Sequence, residues 1–334
     1  MTRTASALSR GVLAFGLAVL FAAAAPAQEA PMKIRISTPA VPGDWHAEML
    51  YIFKEYVERS LPGQFDVEIH LNATLFKQGT EPVAMQRGNL DMAMISAQDI
   101  SKQIPEWSIF TAGYVIRDPE HQRKVFESDI GEEMYALVRE RMGIEILQVA
   151  YLGTRQLNLR EAREVMTPAD LKGVKLRMPA ADTWQFLGRC LGANPTPLAF
   201  NEVYLALKTG TIDGQDNPLP TDQKAKFYEV TEQIVLTGHL VDAVFLAISG
   251  KTWAKLNEEQ REVFREAAKA AAFFNNNNRI RDEKKLVEFF RKEGLVITEP
   301  DREAFRKQVQ ECYLNSPYAA DWPEGLLERI NAIR

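Results

Sequence analysis

Histidine and cysteine are scarce in this chain. Four histidines, His46, His70, His121 and His239, are scattered through 334 residues with no H-x-x-x-H or H-E-x-x-H spacing. The two cysteines, Cys190 and Cys312, are equally remote from each other. No local zinc site is therefore written in the sequence. A Walker A loop, a G-x-G-x-x-G turn after a strand and a G-x-S-x-G elbow are also missing. Asp213-Gly214-Gln215-Asp216 has the wrong spacing for a calcium loop. These gaps remove the sequence-local routes to nucleotide, metal and nucleophile chemistry. Neither a cofactor nor catalysis is expected.

Positive charge is not in excess. Lysine and arginine number 40 against 45 acids, a formal charge of −5. A nucleic-acid binder needs a basic face, so that partner is excluded. A local pair of arginines can still dominate a small closed cleft.

Long apolar runs are missing too, apart from residues 11–25. That run is shorter than the ~20 residues a membrane span needs. Arg3 and Arg10 precede it, Ala25-Pro26-Ala27 closes it, and no acid occurs before Glu29. The pattern predicts a cleavable secretory signal over 1–27 and export to the periplasm. No cysteine lies near the cleavage point to carry a lipid. In an exported protein Cys190 and Cys312 could form one disulfide. Cys190 sits among Phe186, Leu187 and Leu191, which suits a buried free thiol equally well. Both alternatives stay open.

Apolar material is ample, at 46% of residues, and its periodicity alternates between two kinds. Residues 33–37, 66–71, 91–95, 144–152, 174–178 and 242–249 read as strands. Helices are predicted over about 45–60, 79–87, 119–142, 182–191, 201–210 and 257–294. Thr167-Pro168-Ala169-Asp170 is a strong helix start, with a capping threonine, proline in first position and an acid in third. Strands alternating with helices predict an α/β architecture with largely parallel pairing. Residues 213–218 read as a polar turn. The asparagine run 275–278 lies inside the last helix as a solvated face or a break, and no function attaches to it. No flexible linker separates the halves, so two domains would share strands or a long helix as their hinge.

Arg177 carries the clearest chemistry. In Val174-Lys175-Leu176-Arg177-Met178 the apolar side chains share one face and Arg177 takes the other. It stands at the C-terminal end of its strand, where open α/β sheets bind ligands. A guanidinium there can grip a carboxylate through two parallel N–H···O bonds. Arg155 follows the predicted strand that ends at Leu152. Asn217 closes the polar turn with both a donor and an acceptor. Phe200, before a helix start, is an apolar wall or a core residue. Spacing alone does not bring these four together.

Longer motifs do. The chain resembles the DctP-type solute-binding subunits of tripartite ATP-independent periplasmic (TRAP) transporters. The likeness is carried by Thr167-Pro168-Ala169-Asp170-Leu171-Lys172-Gly173-Val174-Lys175-Leu176-Arg177 and by Gly192-Ala193-Asn194-Pro195-Thr196-Pro197-Leu198-Ala199-Phe200-Asn201-Glu202-Val203-Tyr204. Asp213-Gly214-Gln215-Asp216-Asn217-Pro218 and Lys226-Phe227-Tyr228-Glu229-Val230 complete it. The resemblance implies a bilobal α/β fold, joined by a hinge with a long helix and closing over one ligand. It implies lobes of about 28–153 plus 243–282, and 154–242 plus 283–334. It makes Arg177 the principal carboxylate-binding residue, Arg155 the second arginine, Asn217 the completing amide and Phe200 an aromatic wall. The partners implied are a small organic acid anion, such as a sugar acid, hydroxy acid or dicarboxylate, and a small and a large membrane subunit. The chain would act as a monomer. Ala180 stands where the sialic-acid-binding branch has asparagine, and the stretch between the arginines is longer, which argues against sialic acid.

First-lobe contacts rest on position alone. Trp45 and His46 follow the first strand, Glu81 opens a helix, and Gln98 follows the 91–95 strand. Trp184 is placed to narrow the cleft from the second lobe. The rival readings are a periplasmic enzyme on a similar fold, which would need a poised base or nucleophile in the cleft, and a binding protein that feeds a sensor.

Overall fold

The computed structural model describes Met1, Thr2 and residues 30–334. The rest of the predicted signal segment lies outside the described residues. The chain folds as nine strands in one mixed sheet flanked by helices. The strands are β1 Met32–Ser37, β2 Phe65–His70, β3 Met92–Ser96, β4 Ile144–Leu159, β5 Lys175–Met178, β6 Asn194–Pro197, β7 Gly214–Pro218, β8 Gln233–Ser249 and β9 Val296–Thr298. Their order is β2-β1-β3-β8-β4-β7-β5-β6, with β9 also on β8.

Two strands are far longer than the sequence pattern indicates. β4 has 16 residues and β8 has 17, and they pair antiparallel from Ile144↔Ser249 to Leu159↔Gln233. At one end β8 takes β3, so β1, β2 and β3 form one half with it. At the other end Arg155 to Leu159 take β7, and β5 and β6 follow. Pairing within each half is parallel, as alternation predicts, but the shared central strands are antiparallel. The register slips between Tyr151 and Gly153 and again between Arg155 and Leu157. Such slips bend and twist a strand, and here they mark the passage from one half to the other. Gly153, at φ +133, is required there: a Cβ would lie 2.4 Å from Pro218 Cβ.

Local chemistry explains the helices that frame this passage. Asp44 caps helix Trp45–Ser60 by accepting from His46 N. Met49, Leu50, Phe53 and Val57 then bury one face at helical spacing. The predicted 119–142 helix is two helices, Pro119–Phe126 and Asp129–Met142. The Ser128 side chain accepts from Ile130 N and restarts the turn. The capping box of Thr167 and Asp170 is present, on a 3-10 turn. Asn201 does not cap the next helix but lies within a 3-10 turn, Phe200–Glu202, ahead of helix Val203–Thr209.

Helix Glu258–Lys292 is continuous through 35 residues, about 50 Å at the ordinary rise. Phe264, Ala267, Ala268, Ala271 and Ala272 pack in the core of the first half, while Leu286 and Phe290 pack beside Leu219 and Ile234. The asparagine run is neither a break nor a solvated face. Asn275 is fully buried and donates to Tyr151 O at 2.9 Å, and Asn276 accepts from Tyr151 N at 2.8 Å. Arg279 Nε and Glu283 continue this stripe to Leu152 O and Thr154 N. The helix thus satisfies the main chain that the β4 irregularity leaves unpaired. Cys190 and Cys312 form a disulfide joining helix Asp182–Cys190 to helix Arg302–Leu314, which decides between the two alternatives.

Candidate functional site

A cavity of about 80 Å³ opens where the two halves meet. One wall is the loop after β1 (Thr38, Pro39, Ala40), with Asp44 and His46 at the next helix start. Gln78, Gly79 and Glu81 join it, with Ser96 at the end of β3 and Gln98 and Asp99 just after it. Arg155, Phe200, Asn217 and Thr221 form the opposite wall. The first wall therefore gathers at the C-terminal ends of parallel strands, the usual ligand crevice of such sheets.

Six of the nine predicted residues line this cavity: Arg155, Asn217, Phe200, Glu81, His46 and Gln98. Arg177, Trp45 and Trp184 do not. Trp45 turns to the long helix, donating to Asp282 Oδ2 at 2.6 Å and meeting Phe274 edge-on. Trp184 is wholly buried behind the wall, with its ring 4.2 Å from the Arg155 guanidinium carbon and its Nε1 donating to Gln98 Oε1 at 2.7 Å.

Arg155 lies inside β4, not after it as predicted. Its Nε donates to Asp242 Oδ2 at 2.7 Å, and its Nη1 to Asp216 O at 2.7 Å and Asn217 Oδ1 at 3.2 Å. Among the described residues nothing accepts from Nη2. Carboxylates on one side and an indole below fix the direction of that donor. Asn217 is held in turn, Nδ2 donating to Gln215 Oε1 at 2.6 Å. The segment expected as a polar turn is β7, buried throughout. Its polar side chains satisfy one another and Arg155, so polarity here marks a network beneath a site and not solvent.

That network is strongly charged. Burial alone would raise the Asp216 carboxyl, but Arg155, His239 and Arg177 hold it below the usual carboxylate value. Asp222, whose partner is Gln215 at 2.8 Å, is pushed well above it by burial. Burial also raises Asp242, against the pull of Arg155.

Arg177 sits on β5, 1% exposed. Its Nε donates to Leu198 O at 2.9 Å and its Nη2 to Gln78 Oε1 at 3.2 Å. Burial pushes the guanidinium down to about 9. Asp216 opposes that shift and Arg155 adds to it. It stays a cation at neutral pH, shielded from the cavity by Gln78 and backed by a second cation.

The first wall is acidic and amidic. Glu81 Oε2 accepts from Gly79 N at 2.7 Å, while Oε1 is buried with no partner. Burial and the nearby Asp99 raise its carboxyl to about 8. Burial drives His46 down to about 3, so its imidazole is neutral, with Nε2 3.4 Å from Tyr151 O. Asp44 and Thr221 both hold Arg279 of the long helix, at 2.5 and 2.6 Å. Among the residues missed in the sequence, Asp44 and Asp99 lie beside predicted ones at strand ends. Nothing in the sequence signals Gln78, Thr221 or Arg279.

Two α/β halves sharing their central strands, with the Arg155 guanidinium on one wall of the cleft and carboxyl and amide groups on the other, define a bilobal solute-binding protein. The family model for bacterial extracellular solute-binding protein, family 7, matches residues 37–318, and the chain belongs to that family. It is 31% identical over 297 residues to the sialic acid-binding periplasmic protein of Vibrio cholerae, covering 89% of this chain and 92% of that one. A TRAP periplasmic solute-binding protein from Roseobacter denitrificans, solved with 3-deoxy-D-manno-oct-2-ulosonic acid, superposes with a TM-score of 0.88. Its identity is 46%, over 91% of this chain and 100% of that one. Another from the same organism, with L-galactonate, gives a TM-score of 0.83 at 26% identity over 90% and 98%. The resemblance seen in the motifs is thereby established, as is the bilobal α/β fold.

Proposed function

We propose that this chain captures a sugar acid in the periplasm and delivers it to the membrane subunits of a TRAP transporter. The observation that carries this reading is one cavity with opposed chemistries. The uncommitted Nη2 of Arg155 is fixed on one wall, and the partnerless Oε1 of Glu81 is buried on the other. A carboxylate requires charged N–H donors, and a row of hydroxyls pairs with carboxyl and amide groups that accept or donate; a sugar acid has both needs in one molecule. Arg155 meets the carboxylate first, Arg177 adds its charge and its Nη1, and Asn217 orients Arg155. Phe200 covers the carbon skeleton, while Glu81, Asp99 and Gln98 read hydroxyls. Relatives solved with sugar acids support the same class.

Closure completes capture. The lobes are taken as 28–153 with 243–282 and 154–242 with 283–334, because the register slips near Tyr151 and Arg155 divide the sheet there. Shutting the cleft lowers the local dielectric and strengthens each charge-assisted bond. Residues 1–27 direct export and are removed. The activity is capture, not turnover, in keeping with a family of solute-binding proteins.

A thermal-shift screen of the purified protein tests this reading. A ligand that binds the folded state alone raises the melting temperature. The ulosonic acid or another sugar acid is expected to do so, with sialic acid and simple amino acids inert. A panel of sugar acids that leaves the melting temperature unmoved contradicts the proposal.

A further inference from the structure

Beneath Arg155 runs a chain of buried side-chain amides whose direction is set at both ends. Asn158 on β4 and Gln215 on β7 are register partners, and Asn217 follows two residues on, along the same face of β7. Asn158 Nδ2 donates to Gln233 O at 3.1 Å and to Thr231 Oγ1 at 2.8 Å. A main-chain oxygen only accepts, and the Thr231 hydroxyl gives its one proton to Phe227 O at 2.9 Å. Both N–H groups of Asn158 are therefore committed, and its Oδ1 accepts from Gln215 Nε2 at 3.3 Å. The other N–H of Gln215 goes to Asp222 Oδ1 at 2.8 Å. Gln215 Oε1 then accepts from Asn217 Nδ2 at 2.6 Å, and Asn217 Oδ1 accepts from Arg155 Nη1 at 3.2 Å. A guanidinium only donates. With an acceptor fixed at one end and a donor at the other, each of the three amides has a single orientation. Turning any one of them sets N–H against N–H and oxygen against oxygen, among side chains no more than 4% exposed. Buried polar groups left unsatisfied in this way are costly.

We propose that Asn158 and Gln215 are positioning residues for the acid site: they carry a fixed hydrogen-bond polarity from β8 to Asn217, so that an oxygen and not an N–H meets Arg155. Neither residue is among those lining the cavity. The effect on acid affinity rests on the sugar-acid reading above; the fixed polarity does not. Nη1 of Arg155 places its two N–H groups on Asp216 O and Asn217 Oδ1, which leaves Nη2 for the acid. An Asn217 turned the other way would press an N–H against that cation and release one of its braces. The acid would then have to order a guanidinium that the protein no longer holds, and that ordering lowers affinity.

The test uses the full mature chain. Gln215→Met keeps the length of the side chain and removes its polarity. In calorimetric titrations with 3-deoxy-D-manno-oct-2-ulosonic acid it is expected to bind about tenfold more weakly than the wild type, the equivalent of one bond to a charged group. Affinity equal to the wild type overturns the positioning role. Side-chain amide NMR spectra without any acid read the polarity itself, with the Asn217 signal assigned by its loss in Asn217→Ala. The wild-type Asn217 amide is expected to be protected from exchange with solvent, and Gln215→Met is expected to lose that protection. A residue that only fills space would leave the Asn217 signal unmoved in Gln215→Met, and that result also overturns the proposal. Should Gln215→Met fail to fold, the wild-type spectrum still decides: an Asn217 amide exchanging as fast as an exposed one overturns the fixed polarity. If the wild type binds no acid, the functional reading fails and the amide spectra alone decide the relay.

Discussion

Arg155 and Arg177 are both buried cations, but they are held for different work. Arg155 is braced by two carboxylates and an indole, leaving one aimed nitrogen for a ligand. Arg177 is buried behind Gln78, to which its Nη2 donates at 3.2 Å. Arg177→Lys is expected to weaken acid binding strongly, since a point charge cannot satisfy Leu198 O and an anion together. Glu81 supplies a test that needs no ligand. Its carboxyl titrates near 8 in the folded protein and near the ordinary glutamate value when unfolded. Between those two pH values the native state holds a proton that the unfolded state has released. Stability therefore falls as pH rises from about 4.5 to about 8, by up to about 1.4 kcal/mol per pH unit from this group. Glu81→Gln is expected to remove that slope from urea unfolding curves measured at pH 5, 6.5 and 8; an unchanged slope contradicts the assignment. Some of this was legible at the residue scale. The loops after β1 and β3 pointed to the crevice, because strand ends collect there whatever the detailed packing, whereas Arg177, also at a strand end, lies behind the cavity lining. Trp45 and Trp184 could not be sorted, since an indole beside a cleft and an indole beneath it look alike in sequence.

Among the elements, the long helix and β4 determine how the two lobes meet. Asn275, Arg279 and Glu283 recur at one-turn intervals and, with Asn276, bind the backbone of residues 151–154. Arg279 also joins Asp44 of one lobe to Thr221 of the other. Asn275→Ala is expected to cost about 1–3 kcal/mol, because it leaves Tyr151 O with only the long contact to His46. Arg279→Met strands Asp44 as an unpaired buried carboxylate and is expected to cost about 3–5 kcal/mol. The exposed neighbour Phe273→Ser is expected to stay within about 0.5 kcal/mol, as surface changes usually do. Equal effects for all three in denaturant titrations contradict the hinge role of the stripe. This level was the least legible. Hydropathy treats a row of asparagines as solvated and Gly214 to Pro218 as a turn, because it cannot see a polar partner from another element. Helix Trp45–Ser60 and β1 were legible because their partners are apolar and their own periodicity declares the buried face.

At the scale of the molecule, one covalent tie complements the shared strands. The disulfide closes a loop of 122 residues between helices Asp182–Cys190 and Arg302–Leu314. A closure of that length contributes about 2–5 kcal/mol. The Cys190→Ser, Cys312→Ser double variant is expected to unfold at a correspondingly lower urea midpoint while still binding acid, since neither residue lines the cavity. Fold class was readable from alternating strands and helices, and the lobed arrangement from the ordered motifs. The two long antiparallel strands were not, because β4 runs from the first lobe's hydrophobic pattern into the second's polar network and β8 runs back the other way. What unites these scales is the anion site proposed on Arg155 and Arg177. The most direct measurement is calorimetric titration of a stabilising sugar acid into the wild type, Arg155→Ala and Arg177→Ala, with circular dichroism confirming that all three are folded. One acid per wild-type chain and no detectable heat for either variant is the expected result. Unchanged affinity in a folded Arg155→Ala or Arg177→Ala protein would contradict it.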